Sequence, residues 1–94
     1  MAVKVKVKVP TLLRNLVDGQ AVVEADGGGT LRDVLETIEA SYPGFKERVL
    51  SSDGDLHRFV NVYVNDEDVR YTGALDTQLR EGDTVSILPA VAGG

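Results

Sequence analysis

The stretch Val3-Lys4-Val5-Lys6-Val7-Lys8-Val9-Pro10 alternates apolar and charged side chains without a break. A period of two is the pattern of a strand with one face in a core and the other in water. β-Branched valine suits a half-buried pleat, lysine on the wet face discourages edge pairing, and Pro10 ends the run. Residues 11–19 then read as a hairpin connection that holds Leu12, Leu13 and Leu16 against the core. Residues 20–24 read as a second, antiparallel strand, so the chain opens with a hairpin.

Asp26-Gly27-Gly28-Gly29-Thr30 reads as a loop running into a helix. Thr30 is a good N-cap, and Asp33 three residues on approximates a capping box with Asp in place of Glu. Leu31, Val34, Leu35 and Ile38 fall at helical spacing, with Arg32, Asp33, Glu36 and Glu39 on the other side. Tyr42-Pro43-Gly44 terminates this helix, and residues 45–50 add a short helical turn. Residues 51–55 form a polar loop. Phe59-Val60-Asn61-Val62-Tyr63-Val64 alternates again, Asn65-Asp66 offers a turn, and residues 67–70 fit a short return strand. Leu75 and Leu79 mark a brief helical or irregular element, Glu81-Gly82-Asp83 a tight turn, and residues 84–89 a final strand. The order is β-β-α-β-β-β with one main helix, which can cover one face of a four- or five-stranded sheet. This is the α+β arrangement of a ubiquitin-like β-grasp, in which the first and last strands lie parallel at the sheet centre.

Ninety-four residues bound the chain to one domain, and 43% hydrophobic with 27% charged content is ordinary for a globular one. Without cysteine, disulfides, zinc-thiolate sites and a thiol nucleophile are excluded. A net charge of −5 and a pI near 4.7 speak against nucleic-acid binding. No apolar run approaches a membrane span, and the N-terminus lacks a signal-peptide hydrophobic region, so a cytoplasmic location is expected. Gly27-Gly28-Gly29-Thr30 lacks the Lys-Ser/Thr of a phosphate-binding loop and is better taken as a strand-to-helix loop. His57 stands alone as a structural or solvent-facing residue. Asp53, Asp55, Asp66, Glu67 and Asp68 do not follow a calcium-loop spacing, so a solvated acidic surface and no metal site is the expectation. No spacing yields a catalytic triad or a carboxylate pair, so the chain is expected not to be an enzyme.

After the last strand come only Ala90-Val91-Ala92-Gly93-Gly94. Two glycines at a C-terminus pack nothing and lose much backbone entropy if ordered. A slim end is, however, suited to threading a narrow enzyme channel and presenting an unhindered carboxylate. The chain is accordingly divided into a folded part, residues 1–89, and a reactive tail, residues 90–94.

Two segments resemble a known family. Leu56-His57-Arg58-Phe59-Val60-Asn61-Val62-Tyr63-Val64-Asn65-Asp66-Glu67-Asp68-Val69-Arg70 and residues 81–94, from Glu81-Gly82-Asp83 through Leu88-Pro89 to Gly93-Gly94, are similar to the ubiquitin-like sulfur carriers of the MoaD/ThiS superfamily. Leu56-His57-Arg58-Phe59 and Asn65-Asp66-Glu67-Asp68 point to the branch serving cysteine biosynthesis. The resemblance implies that an E1-like enzyme, using ATP and Mg²⁺ that this chain does not itself bind, adenylates the Gly94 carboxylate. A sulfur donor then displaces AMP and leaves a thiocarboxylate. In the cysteine-type branch the acceptor is an aminoacrylate on a PLP-dependent synthase, and a metalloprotease releases the product. Specialised metabolism such as thiosugar formation is the other implied destination of the sulfur, and a molybdopterin- or thiamine-pathway carrier is an alternative. A ubiquitin-like modifier and a β-grasp interaction module with an inert tail are the other readings. The free chain is expected to be a monomer.

Strand alternation also points to a partner face. If Val60, Val62, Val64, Val85 and Ile87 face the helix, Phe59, Asn61, Tyr63, Ser86 and Leu88 face outward. Phe59, Tyr63 and Leu88 would then form an apolar patch beside Lys4, Lys6 and Lys8, near the tail, where an activating or acceptor enzyme could dock.

Overall fold

In a computed structural model the described residues are 3–27, 29–52, 54–57 and 60–89. Phe59 and the tail, Ala90, Val91, Ala92, Gly93 and Gly94, lie outside them. The chain forms β1 (Val3–Lys8), a 3₁₀ arm (Thr11–Val17), β2 (Val22–Gly27), α1 (Leu31–Ser41), α2 (Phe45–Val49), β3 (Val60–Val64) and β4 (Glu67–Asp68). Two short 3₁₀ turns (Val69–Tyr71 and Ala74–Asp76) lead into β5 (Thr84–Pro89). The sheet order is β2-β1-β5-β3-β4, with β1 and β5 parallel and every other pair antiparallel. This is the β-grasp, with both helices on one face.

The inward faces agree with the alternation. Val5, Val7 and Val9, Val60, Val62 and Val64, and Val85 and Ile87 are buried, while Lys4, Lys6 and Lys8 are exposed. Leu31, Val34, Leu35 and Ile38 of α1 close the core from below, and Phe45 and Val49 of α2 extend it. Thr30 caps α1, its Oγ1 accepting the Asp33 N–H at 3.2 Å. Leu75 and Leu79 are also buried. Asn65 and Asp66 turn β3 into β4 with φ of 49° and 74°, the two positive values of a tight hairpin turn.

Four expectations shift. Leu12 is not in the core: it is 75% exposed. The arm is a 3₁₀ helix, whose side chains recur every three residues. Leu13 and Leu16 share the inward stripe, Val17 is fully buried, and Leu12 falls outside it. β2 starts later and ends later than residues 20–24, because Asp18 and Gly19 turn with positive φ and the ladder continues until Gly27 pairs with Val3. The return strand is limited to Glu67 and Asp68, and Val69 and Arg70 belong to a 3₁₀ turn. Finally, Glu39 is more than a solvated helix residue. Its carboxylate accepts N–H bonds from Gly44, at 3.0 Å, and Lys46, at 2.8 Å, tying the end of α1 to the start of α2. The Gly44 amide first, then that of Lys46, holds this carboxyl below the usual glutamate range.

Candidate functional site

β5 carries the chain toward its C-terminus from the middle of the sheet. On one edge Thr84, Val85 and Ser86 lie opposite Lys6, Val7 and Lys8 of β1. On the other, β3 pairs with β5 out to Val60 opposite Pro89. The last three residues, Ile87, Leu88 and Pro89, are thus held by β3 alone, since the chain leaving β1 has turned at Pro10 into the arm. Pro89 has no N–H to offer a ladder and sits where the paired chain ends.

The arm fills the space beside this end. Arg14 Nε donates to the Val9 carbonyl at 3.0 Å, and the Leu13 N–H to the Pro10 carbonyl at 2.9 Å. A recess of about 520 Å³ opens between the arm, α2 and the end of β5, with Leu12, Leu88 and Pro89 in its wall and Glu47, Arg48 and His57 also lining it. A second recess, of about 500 Å³, adjoins it, shares Leu12, Leu88 and Pro89, and adds Lys8, Arg14 and Val22. Large exposed apolar side chains among the described residues are Leu12, Val22, Leu88 and Tyr71, and the first three line these recesses.

Of the three apolar side chains expected on the outer sheet face, Tyr63 and Leu88 are among the described residues. Leu88 is 48% exposed, whereas Tyr63 is half-buried, opposite Ser86 on one side and Asp68 on the other. Lys4 and Lys6 lie opposite Asp26 and Glu24 of β2, and Lys8 opposite Val22. Opposed charges on neighbouring strands attract, so two of the three lysines face local counter-charge. Arg70 reaches over β3, donating to Asn61 Oδ1 at 2.6 Å and the Val60 carbonyl at 3.0 Å. The structure therefore brings Leu88 and Lys8 to the root of the tail and leaves Lys4 and Tyr63 further along their strands. Phe59 and the tail itself are outside the described residues.

Sequence reasoning missed Leu12, Val22, Arg14 and Arg48 as members of this surface. Leucines in a connection look like core, and nothing in their spacing marks a 3₁₀ arm that turns one of them outward. His57 does line the recess, and its backbone N–H donates to the Val49 carbonyl at 2.8 Å. Among the described residues no group of three or more His, Asp or Glu side chains is placed to hold a metal ion, and no helix is long and apolar enough to cross a membrane.

Known proteins share this architecture from end to end. The sulfur carrier protein CysO of Mycobacterium tuberculosis is 55% identical over 92 residues, spanning 96% of this chain and 98% of its own. The crystal structure of the Amycolatopsis orientalis BexX/CysO complex contains a chain with 49% identity and a TM-score of 0.88, the match covering 96% of this chain and 99% of that one. Small archaeal modifier protein 3 of Haloferax volcanii is 41% identical over 69 residues, 73% of this chain and 74% of its own. Carriers of this kind are generally substrates of other enzymes rather than catalysts. The ThiS family model matches residues 7–94, and the chain belongs to that family of ubiquitin-like sulfur carriers, as a homologue of CysO.

Proposed function

We propose that this chain carries sulfur as a thiocarboxylate on Gly94. The Gly94 carboxylate oxygen attacks the α-phosphorus of ATP in an E1-like enzyme, releasing pyrophosphate and forming an acyl-adenylate. Sulfide or an equivalent donor then attacks the acyl carbon and expels AMP. A carboxylate is resonance-stabilised, and adenylation gives it a good leaving group. Gly94 has no Cβ to crowd the acyl carbon, and Gly93 lets the backbone bend past enzyme walls. The thiocarboxylate is a soft anionic nucleophile on a protein handle. ATP and Mg²⁺ belong to the activating enzyme, and this chain supplies the carboxylate.

The observation that supports this reading best is the likeness to CysO over nearly the whole chain, combined with a Gly-Gly end five residues beyond the last central strand. Cysteine biosynthesis follows as the favoured use, with a PLP-dependent synthase as acceptor and a metalloprotease to release the product. Partner enzymes are proposed to dock at the end of the sheet where the tail begins, a surface that includes Leu88 and Lys8 of the expected set Phe59, Tyr63, Leu88, Lys4, Lys6 and Lys8. The existence of a BexX/CysO complex supports protein docking by carriers of this type. The likeness to a small archaeal modifier favours a second reading, in which the activated Gly94 ends in isopeptide bonds to lysines.

Intact-mass measurement separates the readings. The full chain is incubated with its E1-like enzyme, ATP and sulfide. An oxygen-to-sulfur exchange is the carrier's result. A ladder of protein adducts would replace that reading with the modifier, and an unchanged mass would overturn both.

A further inference from the structure

We propose that the activating enzyme grips this carrier chiefly by the apolar ridge of Leu12, Val22 and Leu88 at the tail root, and that its matching surface is an apolar notch edged by carboxylates. This rests on the reading of Gly94 as the activated end. Reach sets the first constraint. Five residues beyond Pro89 extend at most about 17 Å, at roughly 3.3 Å each, so an enzyme acting on Gly94 must come close to the surface around Pro89. That surface is the ridge. It contains the exposed apolar side chains 75%, 43% and 48% open to solvent, gathered around two recesses that share one wall. Exposed apolar side chains gathered in one patch and rimmed by polar groups mark a protein-interaction surface.

Charge sets the second constraint. The chain as a whole carries −5, yet the cations Lys8, Arg14 and Arg48 line these recesses against one carboxylate, Glu47. Among the described residues Arg48 makes no ion pair or side-chain hydrogen bond, so its charge is free for a partner. A local positive rim on an acidic protein selects and orients an approaching acidic surface. The lysines farther along β1 contribute less, because Lys4 and Lys6 face Asp26 and Glu24.

The test is ATP–pyrophosphate exchange by the E1-like enzyme, with the full-length carrier as the varied substrate. Leu12→Asp is expected to raise KM by about tenfold or more, with kcat within about twofold, because a docking residue acts on binding and not on the acyl transfer. Arg48→Glu should raise KM several-fold, an effect that shrinks with added salt. Tyr71→Ala, at an equally exposed aromatic on another element, should change neither constant. Leu12, Arg48 and Tyr71 are all exposed, and unaltered melting curves will verify that the variants fold. A Leu12→Asp variant with wild-type KM overturns the ridge. So does a Lys6→Glu variant that is more damaging than Leu12→Asp, which would return the docking centre to the flat sheet face. If the wild-type chain supports no exchange, the activation of Gly94 fails and the ridge proposal falls with it.

Discussion

Glu39 shows how much one carboxylate can organise. Its carboxylate accepts amides from Gly44 and Lys46, and those bonds exist only in the folded chain. Its folded pKa is therefore depressed relative to the unfolded chain. The stabilisation it gives is present at neutral pH, above the unfolded value, and fades as pH falls through the folded one. Urea unfolding of wild type and Glu39→Gln across the acid range should show the wild type more stable near neutrality and the two converging at low pH. Curves that stay parallel would mean the carboxylate does nothing that an amide cannot. Neither Glu39 nor Leu12 was legible from sequence. Glu39 sits on the polar side of α1, and its partners exist only because Pro43 and Gly44 bend the chain back. Leu12 looked like core because leucines in a short connection between two strands are expected to pack inward, whereas the 3₁₀ arm buries Val17 and leaves Leu12 exposed.

Elements were easier to read than their edges. The valines of β1, the capped apolar stripe of α1 and the alternation of β3 each follow from local periodicity, and all three stand as expected. Thr30→Ala should cost about 1 kcal/mol of stability by urea unfolding, with Thr30→Ser retaining most of it, since the hydroxyl is what accepts the Asp33 amide. Equal losses for both would point to the Thr30 methyl instead. β4 illustrates the limit. Its two residues end where Arg70 takes over, and the guanidinium bonds to Asn61 and the Val60 carbonyl occupy an edge that no strand covers. Because Arg70 is partly exposed, its replacement by Ala should cost about 1 kcal/mol, less than a buried charged pair. Lysine, lacking the two-pronged fork, should restore only part of that loss. A side chain substituting for a strand leaves no period to detect, which is why residues 67–70 looked like one continuous strand.

At the scale of the molecule, the parallel pairing of β1 with β5 is what matters. It joins residues almost eighty positions apart and places the C-terminal end of β5 in the middle of the sheet. The topology was legible because element order and a single main helix leave few arrangements. The proposed tail chemistry rests on resemblance, since Gly-Gly by itself is compatible with an inert end. The apolar, basic rim around Pro89 was not legible, because it is assembled from the arm, β2, α2 and β5 together. The core among the described residues is built from positions between Val5 and Ile87, so deletion of Gly94 should leave the melting temperature unchanged while abolishing sulfur transfer. Tandem mass spectrometry of the full chain and the Gly94-deleted chain, after reaction with the E1-like enzyme, ATP and sulfide, tests the central claim most directly. The account predicts one oxygen-to-sulfur exchange, located at the Gly94 carboxyl and absent from the deleted chain. An unmodified full-length chain, or sulfur that is retained when Gly94 is removed, would contradict it.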